Sequence, residues 1–261
     1  MVKEYFKGIY ENRYILISLL NRDLQSKYRK SVMGIAWAVI TPLGLVLIIG
    51  GVYSIIFGAD PKEFIPNLFA GLTPWLFISG SAESGTGAFL VAEGYLKQTR
   101  VHSQIFPIRL VLINFVNFLY SSLAYFSIYL ILQPNLFGPK MLMIFPSIFI
   151  LFIFALSWAN FASVINLIVR DFQPLQSLIL QGLFYVTPII FPAKMLFDKG
   201  FSLIYLFNPI YYIIEIIKIS FIGLEWPTAN LYSSAILITF SFFYLSIRLQ
   251  MHYKNNIVFR L

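Results

Sequence analysis

The sequence has no cysteine and only two histidines, His102 and His252, among its 261 residues. The first absence excludes disulfides and thiolate metal sites, and the second leaves no histidine cluster on which to build a metal centre. Charge is also scarce: Asp, Glu, Lys and Arg make up 11% of the chain, against 59% apolar and 18% aromatic residues. A soluble domain of this length would have too few polar side chains to cover its surface, so the bilayer is the solvent. Acids are the scarcest charges, 11 against 19 Lys and Arg, for a net charge of +8. A basic excess set beside apolar spans fixes topology and meets anionic lipid headgroups; no nucleic-acid partner is expected from it.

Motifs of chemistry are missing as well. The chain contains no GxxxxGK[ST] phosphate loop, no HExxH, no GxSxG and no paired acidic metal motif. No catalytic residue, metal or cofactor of its own is therefore assigned, and it carries no visible ATP-hydrolysing motor. A proton relay would need a chain of buried acids and histidines, and Glu83 is the only acid well inside a span.

What is present is a series of long charge-free runs. Six have at least 18 residues: Ser31 to Ala59, Phe64 to Ala82, Leu110 to Pro139, Met141 to Val169, Phe172 to Ala193 and Trp226 to Ile247. Each can hold a helix that crosses about 30 Å of hydrocarbon. They predict an all-α integral membrane protein, one transmembrane domain over residues 1–261, with spans near 33–58, 66–91, 107–133, 141–168, 173–192 and 227–248. A seventh run, Gly200 to Ile214, has 15 residues, lies among prolines 174, 188, 192 and 209, and precedes Glu215 and Lys218. Its length suits a re-entrant helical segment between spans five and six. Six crossings put both termini on one side, and the loops of that side hold 14 Lys and Arg against five (Lys62, Lys140, Lys194, Lys199, Lys218) on the other. The positive-inside rule makes that side the cytoplasm. The first apolar run, Tyr14 to Leu20, is short and leads into Arg22, which predicts no cleavable signal.

Ahead of the first span, Ile17, Leu20, Leu24 and Tyr28 recur at helical steps while Arg22, Ser26 and Arg29 fall elsewhere, the pattern of an amphipathic interface helix over about 10–30. It is either a lipid anchor or a docking surface for a cytoplasmic partner. In the second span Gly80, Ser84 and Ala88, beside Gly85 and Gly87, predict close approach of a neighbouring helix. Glu83 there should face protein, water or the cytoplasmic interface. Aromatic and small polar residues supply the rest of the interior: Trp37, Tyr53, Trp75, Phe77, Ser79, Ser81, Tyr120, Tyr125, Trp158, Asn160, Asn166, Tyr185 and Thr187. Aromatic faces stack on sugar C–H surfaces while hydroxyls and amides exchange hydrogen bonds with sugar hydroxyls, so Trp37, Tyr53, Trp75, Phe77, Ser81, Tyr185 and Thr187 are candidates for a substrate path.

Five blocks in order carry a resemblance: RDLQSKYRKSVMGIAWAVITP from Arg22, FAGLTPWLFISGS from Phe69, IFPIRL from Ile105, INLIVRDFQ from Ile165 with FYVTPIIFP from Phe184, and NPIYYIIEIIKISFIG from Asn208. Over nearly its whole length the chain resembles the ABC type-2 permeases that export polysaccharides and polyol phosphates. The resemblance implies a homodimer that forms a channel, with two separate ATP-binding-cassette ATPases that hold ATP and Mg. It implies ATPase contacts from Tyr14 through Arg29, including Arg22, Lys27 and Arg29, and from a coupling helix near 93–106, including Lys97, Arg100 and His102. Arg170 and Asp171 match the family's Arg-Asp at the cytoplasmic end of span four, and helix-end pairing is their other reading. Residues 193–226 resemble the family's extracytoplasmic gate region, and Lys218 keeps a basic residue at a position where the family often has one. The expected function is ATP-driven export of a lipid-linked glycan (O-antigen, capsule or teichoic-acid type) across a bacterial cytoplasmic membrane. A drug or small-molecule exporter would share this fold; a membrane-embedded transferase would need Glu83, Glu93, Asp171 or His102 as its catalytic group.

Overall fold

The computed structural model describes residues 1–28, 31–132, 138–191, 193, 198, 200 and 202–261. Among these, all regular structure is helical: α1 (Val2–Glu11), α2 (Arg13–Tyr28), α3 (Trp37–Phe57), α4 (Pro61–Thr86), α5 (Ala88–Val91), α6 (Glu93–Gln98), α7 (Ile105–Leu132), α8 (Ile144–Ile168), α9 (Phe172–Val186), α10 (Ser202–Leu206), α11 (Pro209–Ile222), α12 (Ala229–Tyr253) and α13 (Ile257–Arg260). Several ends are written into the sequence. Asp60 accepts from Lys62 N at 2.9 Å and Pro61 opens α4; Asn208 accepts from Ile210 N at 3.0 Å and Pro209 opens α11. A side-chain acceptor followed by proline satisfies the free N–H groups of a first turn. Gly58 and Gly223, at φ 60 and φ 71, close α3 and α11 in the left-handed conformation that glycine adopts without a Cβ clash.

Among the described residues, four stretches are long and apolar enough to cross a membrane: Gly34–Ile56, Ile105–Ile131, Pro139–Ile168 and Ala229–Tyr253. The other two expected spans differ from them in distinct ways. The helix α4 has the length, 26 residues, but carries Pro66, Thr73, Pro74, Ser79, Ser81 and Glu83 and is surrounded by α3, α7, α8 and α11. It can be polar because its neighbours, not lipid, cover most of it. The helix α9 has only 15 residues and stops where Thr187 turns extended, ψ 133, immediately before Pro188, as the ring of a following proline requires.

Where a re-entrant segment was expected to end at Ile214, α11 runs on to Ile222 with Ile210, Ile213, Ile217 and Phe221 fully buried. Glu215 and Lys218 do not interrupt it, because Lys218 turns inward and donates to Pro188 O at 3.1 Å. Lys218 is therefore an interior residue rather than a loop charge. Between α4 and α8 the backbones nearly touch: a Cβ on Gly85 would lie 2.7 Å from Ala159 Cα. Close approach of this kind replaces hydrophobic driving force inside a membrane.

The helix expected over 10–30 is α2, Arg13–Tyr28, and a further helix, α1, precedes it. In α1, Tyr5 is fully buried and accepts from Asn160 Nδ2 at 2.9 Å, which ties α1 to α8. The buried face of α2 is Leu16 and Leu19, while Ile17, placed on the apolar face by the sequence pattern, is 52% exposed. The chain turns from α1 to α2 at Asn12, whose side-chain amide donates to Gly8 O at 2.9 Å.

Candidate functional site

On α4, Leu72, Trp75, Leu76, Ser79 and Glu83 recur at three- and four-residue steps, so their side chains form one stripe. Leu45 and Ile49 of α3 and Leu180, Gln181, Phe184 and Tyr185 of α9 complete the lining of a groove of about 390 Å³. From Leu72 to Glu83 are 11 helical steps, about 16 Å at 1.5 Å each. Trp75 is buried with its ring centroid 5.6 Å from that of Phe184, whereas Tyr185 is 66% exposed. Aromatic faces, the hydroxyls of Ser79 and Tyr185, one amide and one carboxylate line the groove, with no Lys, Arg or His among its described lining residues. Such a surface can slide along an extended polyhydroxyl or amphipathic chain; it holds no nucleophile paired with a base.

A second cavity of about 290 Å³ lies across Leu76, between α3, α4 and α7, and is lined by Trp37, Thr41, Thr73, Phe77, Asn114, Asn117 and Ser121 among others. Phe77 sits in an aromatic cluster with Phe115 and Phe118, centroids 5.6 and 5.4 Å away. Asn114 Nδ2 donates to Ser84 Oγ at 3.0 Å, and Ser121 Oγ donates to Ala38 O at 3.1 Å.

At the end of the bundle where α1, α2 and residues 93–106 meet, charge is concentrated and largely paired. Arg22 donates to Tyr95 OH at 2.6 Å, which joins α2 to α6. Arg109, 3% exposed, lies 3.2 Å from Asp23 and pins α2 to α7. Lys97 bonds Glu93 at 2.6 Å one turn away, His102 Nε2 is 3.1 Å from Glu11, and Lys254 bonds Glu4. Arg100 is exposed beside them, and Arg170 and Asp171 are exposed at the turn from α8 to α9. Lys27 is on α2; Arg29 lies outside the described residues.

The path candidates are thus divided. Trp75 and Tyr185 share the groove, and Trp37 and Phe77 share the second cavity. Tyr53 is half-buried further along α3. Ser81 and Thr187 do not reach either surface: Ser81 is fully buried, and Thr187 donates to Leu183 O at 2.6 Å and accepts from Asn208 at 2.7 Å. Several other interior polar residues are internal ties, such as Trp158 Nε1 donating to Gln176 at 3.2 Å and Asn166 donating to Thr86 O at 3.0 Å. Candidates for a transferase centre are not assembled, since Glu93 and His102 are engaged as above and Glu83 alone faces the groove. Sequence reading passed over Gln181 as a lining residue and Arg109 as an anchor. The four-residue spacings Trp75–Ser79–Glu83 and Gln181–Tyr185 were its available signals.

The subunit thus presents an aromatic groove between α3, α4 and α9 and a cluster of mostly paired charges where α1, α2 and residues 93–106 meet. Residues 14–222 match the ABC-2 type transporter family. The chain belongs to that family. It is 29% identical over 209 residues to the O-antigen export system permease protein RfbA of Myxococcus xanthus, 78% of each chain. Two Klebsiella pneumoniae proteins of the same name are 27% and 26% identical over 75% of each chain. It is therefore a membrane permease of the ABC-2 type, and its helices are best understood as transport machinery.

Proposed function

We propose that two copies of this permease form a channel through a bacterial cytoplasmic membrane, and that two separate ABC ATPases drive a lipid-linked polysaccharide along it. The observation that carries this reading is the groove between α3, α4 and α9, whose two flanking helices present apolar faces that no described residue of the subunit covers. Leu47, Ile48, Val52 and Ile55 on α3 are 52 to 83% exposed, and Leu175, Leu178 and Ile179 on α9 are 45 to 66% exposed. A second copy laid against these faces would close two grooves into one path with aromatic walls. The names of the relatives, O-antigen export permeases, support a glycan as the cargo.

In this reading α4 is the second span and α9, continued by residues 187–191, the fifth, giving six crossings with both termini cytoplasmic. The helix pair α10 and α11 is then the extracytoplasmic gate. Residues 93–106, with Lys97, Arg100 and His102, receive the ATPase, and the Arg22–Tyr95 bond passes its movement to α2. Rigid-body motion of α3 and α9 would open the path. Reconstitution of the chain with its ATPase in liposomes tests this: ATP-dependent appearance of a lipid-linked polysaccharide on the far leaflet is expected, and transfer that does not require ATP, or none at all, refutes it.

A further inference from the structure

The charge of the groove, taken with the exporter reading on which this inference rests, narrows the cargo. We infer that the groove selects an uncharged polysaccharide over a polyol phosphate, and that Glu83 is the residue that decides it.

Glu83 is exposed on α4 and closes one end of the groove, a turn away from Ser79 and two turns from Trp75, with Gln181 on the facing helix. A carboxylate is acceptor-only and offers about four lone-pair sites, so it is matched by a ligand rich in hydroxyl donors. Bonds from hydroxyls to a carboxylate are short and roughly twice as strong as neutral ones. The adjoining groups suit the same ligand: Ser79 and Gln181 give and take hydrogen bonds, and Trp75 and Tyr185 offer faces to C–H surfaces.

A phosphodiester has the opposite requirement, since it needs donors or cations and repels a carboxylate. Cations elsewhere in the subunit have other partners: Arg109 with Asp23, Lys97 with Glu93, Lys218 with Pro188 O. No cation lines the second cavity either among the described residues. Two copies of the chain would bring two carboxylates to the path. A single anionic linkage at the lipid end passes them once, whereas a polyol phosphate presents an anion at every repeat.

The test uses the full chain with its ATPase in liposomes and two substrates of equal length on one diphospholipid anchor, a neutral hexose homopolymer and poly(glycerol phosphate). The neutral polymer should move at least about tenfold faster, and Glu83→Gln should narrow that ratio about tenfold. Glu83→Lys should invert the preference. Equal rates for the two polymers in the unaltered protein, or a ratio that Glu83→Gln leaves unchanged, would overturn the selection while leaving the exporter reading intact. Movement of neither polymer would instead remove the exporter reading. A measurement independent of turnover guards against misfolding of the variants: a soluble neutral hexasaccharide should quench tryptophan fluorescence of the purified chain, less so in Glu83→Gln and Trp75→Phe, and equal quenching in all three counts against the site.

Discussion

Replacing Lys218 with methionine removes one charge from the interior while keeping most of the side-chain volume. The lysine side chain is 5% exposed, its ammonium donates to Pro188 O at 3.1 Å and lies 3.9 Å from Glu215 Oε2, and its stem packs where a Cβ on Gly71 would be 3.2 Å away. Taking away one member of a buried pair costs about 3 to 5 kcal/mol, because the other charge is left without compensation. Glu215 keeps 20% exposure, so the lower end, about 3 kcal/mol, applies. For a chain of this size that corresponds to a fall of on the order of 10 °C in the thermal midpoint of the detergent-solubilised protein. Removing both charges in Lys218→Met with Glu215→Leu replaces the pair by packed apolar groups and should recover most of the loss, leaving about 1 kcal/mol for the unmet Pro188 carbonyl. The double variant should therefore be about 2 kcal/mol more stable than Lys218→Met alone. A single variant as stable as the double one would refute the interior pairing and return Lys218 to the surface.

Other perturbations address different contacts. Gly85→Val would drive a side chain into Ala159, whose Cα is 2.7 Å from the Cβ position; the separation of α4 and α8 should cost at least 1 to 3 kcal/mol, read as a lowered thermal midpoint, while Gly94→Val, with open space around it, should leave the midpoint nearly unchanged, because valine is no worse a helix former than glycine. Reversing Lys97 and Arg100 to glutamate should weaken co-purification of the ATPase without lowering membrane insertion, and undiminished co-purification would place the docking surface elsewhere. The hydrogen bond from Lys254 holds the Glu4 carboxyl below its ordinary value of 4.5. A depressed carboxyl contributes above the unfolded value and loses its contribution as pH falls through the folded one. Protection of the α1 amides, taken relative to the intrinsic exchange rate at each pH, should therefore fall as pH drops below 4.5 in the native chain, with a smaller pH response in Glu4→Gln.

Much of the helical layout could be read from composition, since 29 uncharged residues in a row have few ways to be satisfied in a bilayer other than as a helix. The groove was legible only in fragments. Trp75 and Tyr185 stood out as aromatic residues, yet nothing in a one-dimensional pattern says that Leu76 would separate them from Trp37 and Phe77. Ser81 and Thr187 show the converse: small polar residues in an apolar run read equally well as path lining or as internal hydrogen-bonding groups, and burial assigned them to the second role. For α2, periodicity placed Ile17 on the apolar face with Leu20 and Leu24, whereas packing against the other helices buries Leu16 and Leu19.

By itself, the sequence determined that the chain lives in a membrane, that it is helical, that it has no motor or metal site recognisable by motif, and where most helices begin, because caps, prolines and charge-free length act over a few residues. Tertiary structure decided which polar groups face one another. Lys218 became an interior tether through a carbonyl 30 residues away, Arg109 an anchor through Asp23, and Glu83 the single charge among the described residues of an aromatic groove. Each of those outcomes depends on the rotation and depth of packed helices, which long-range contacts set and no local spacing encodes.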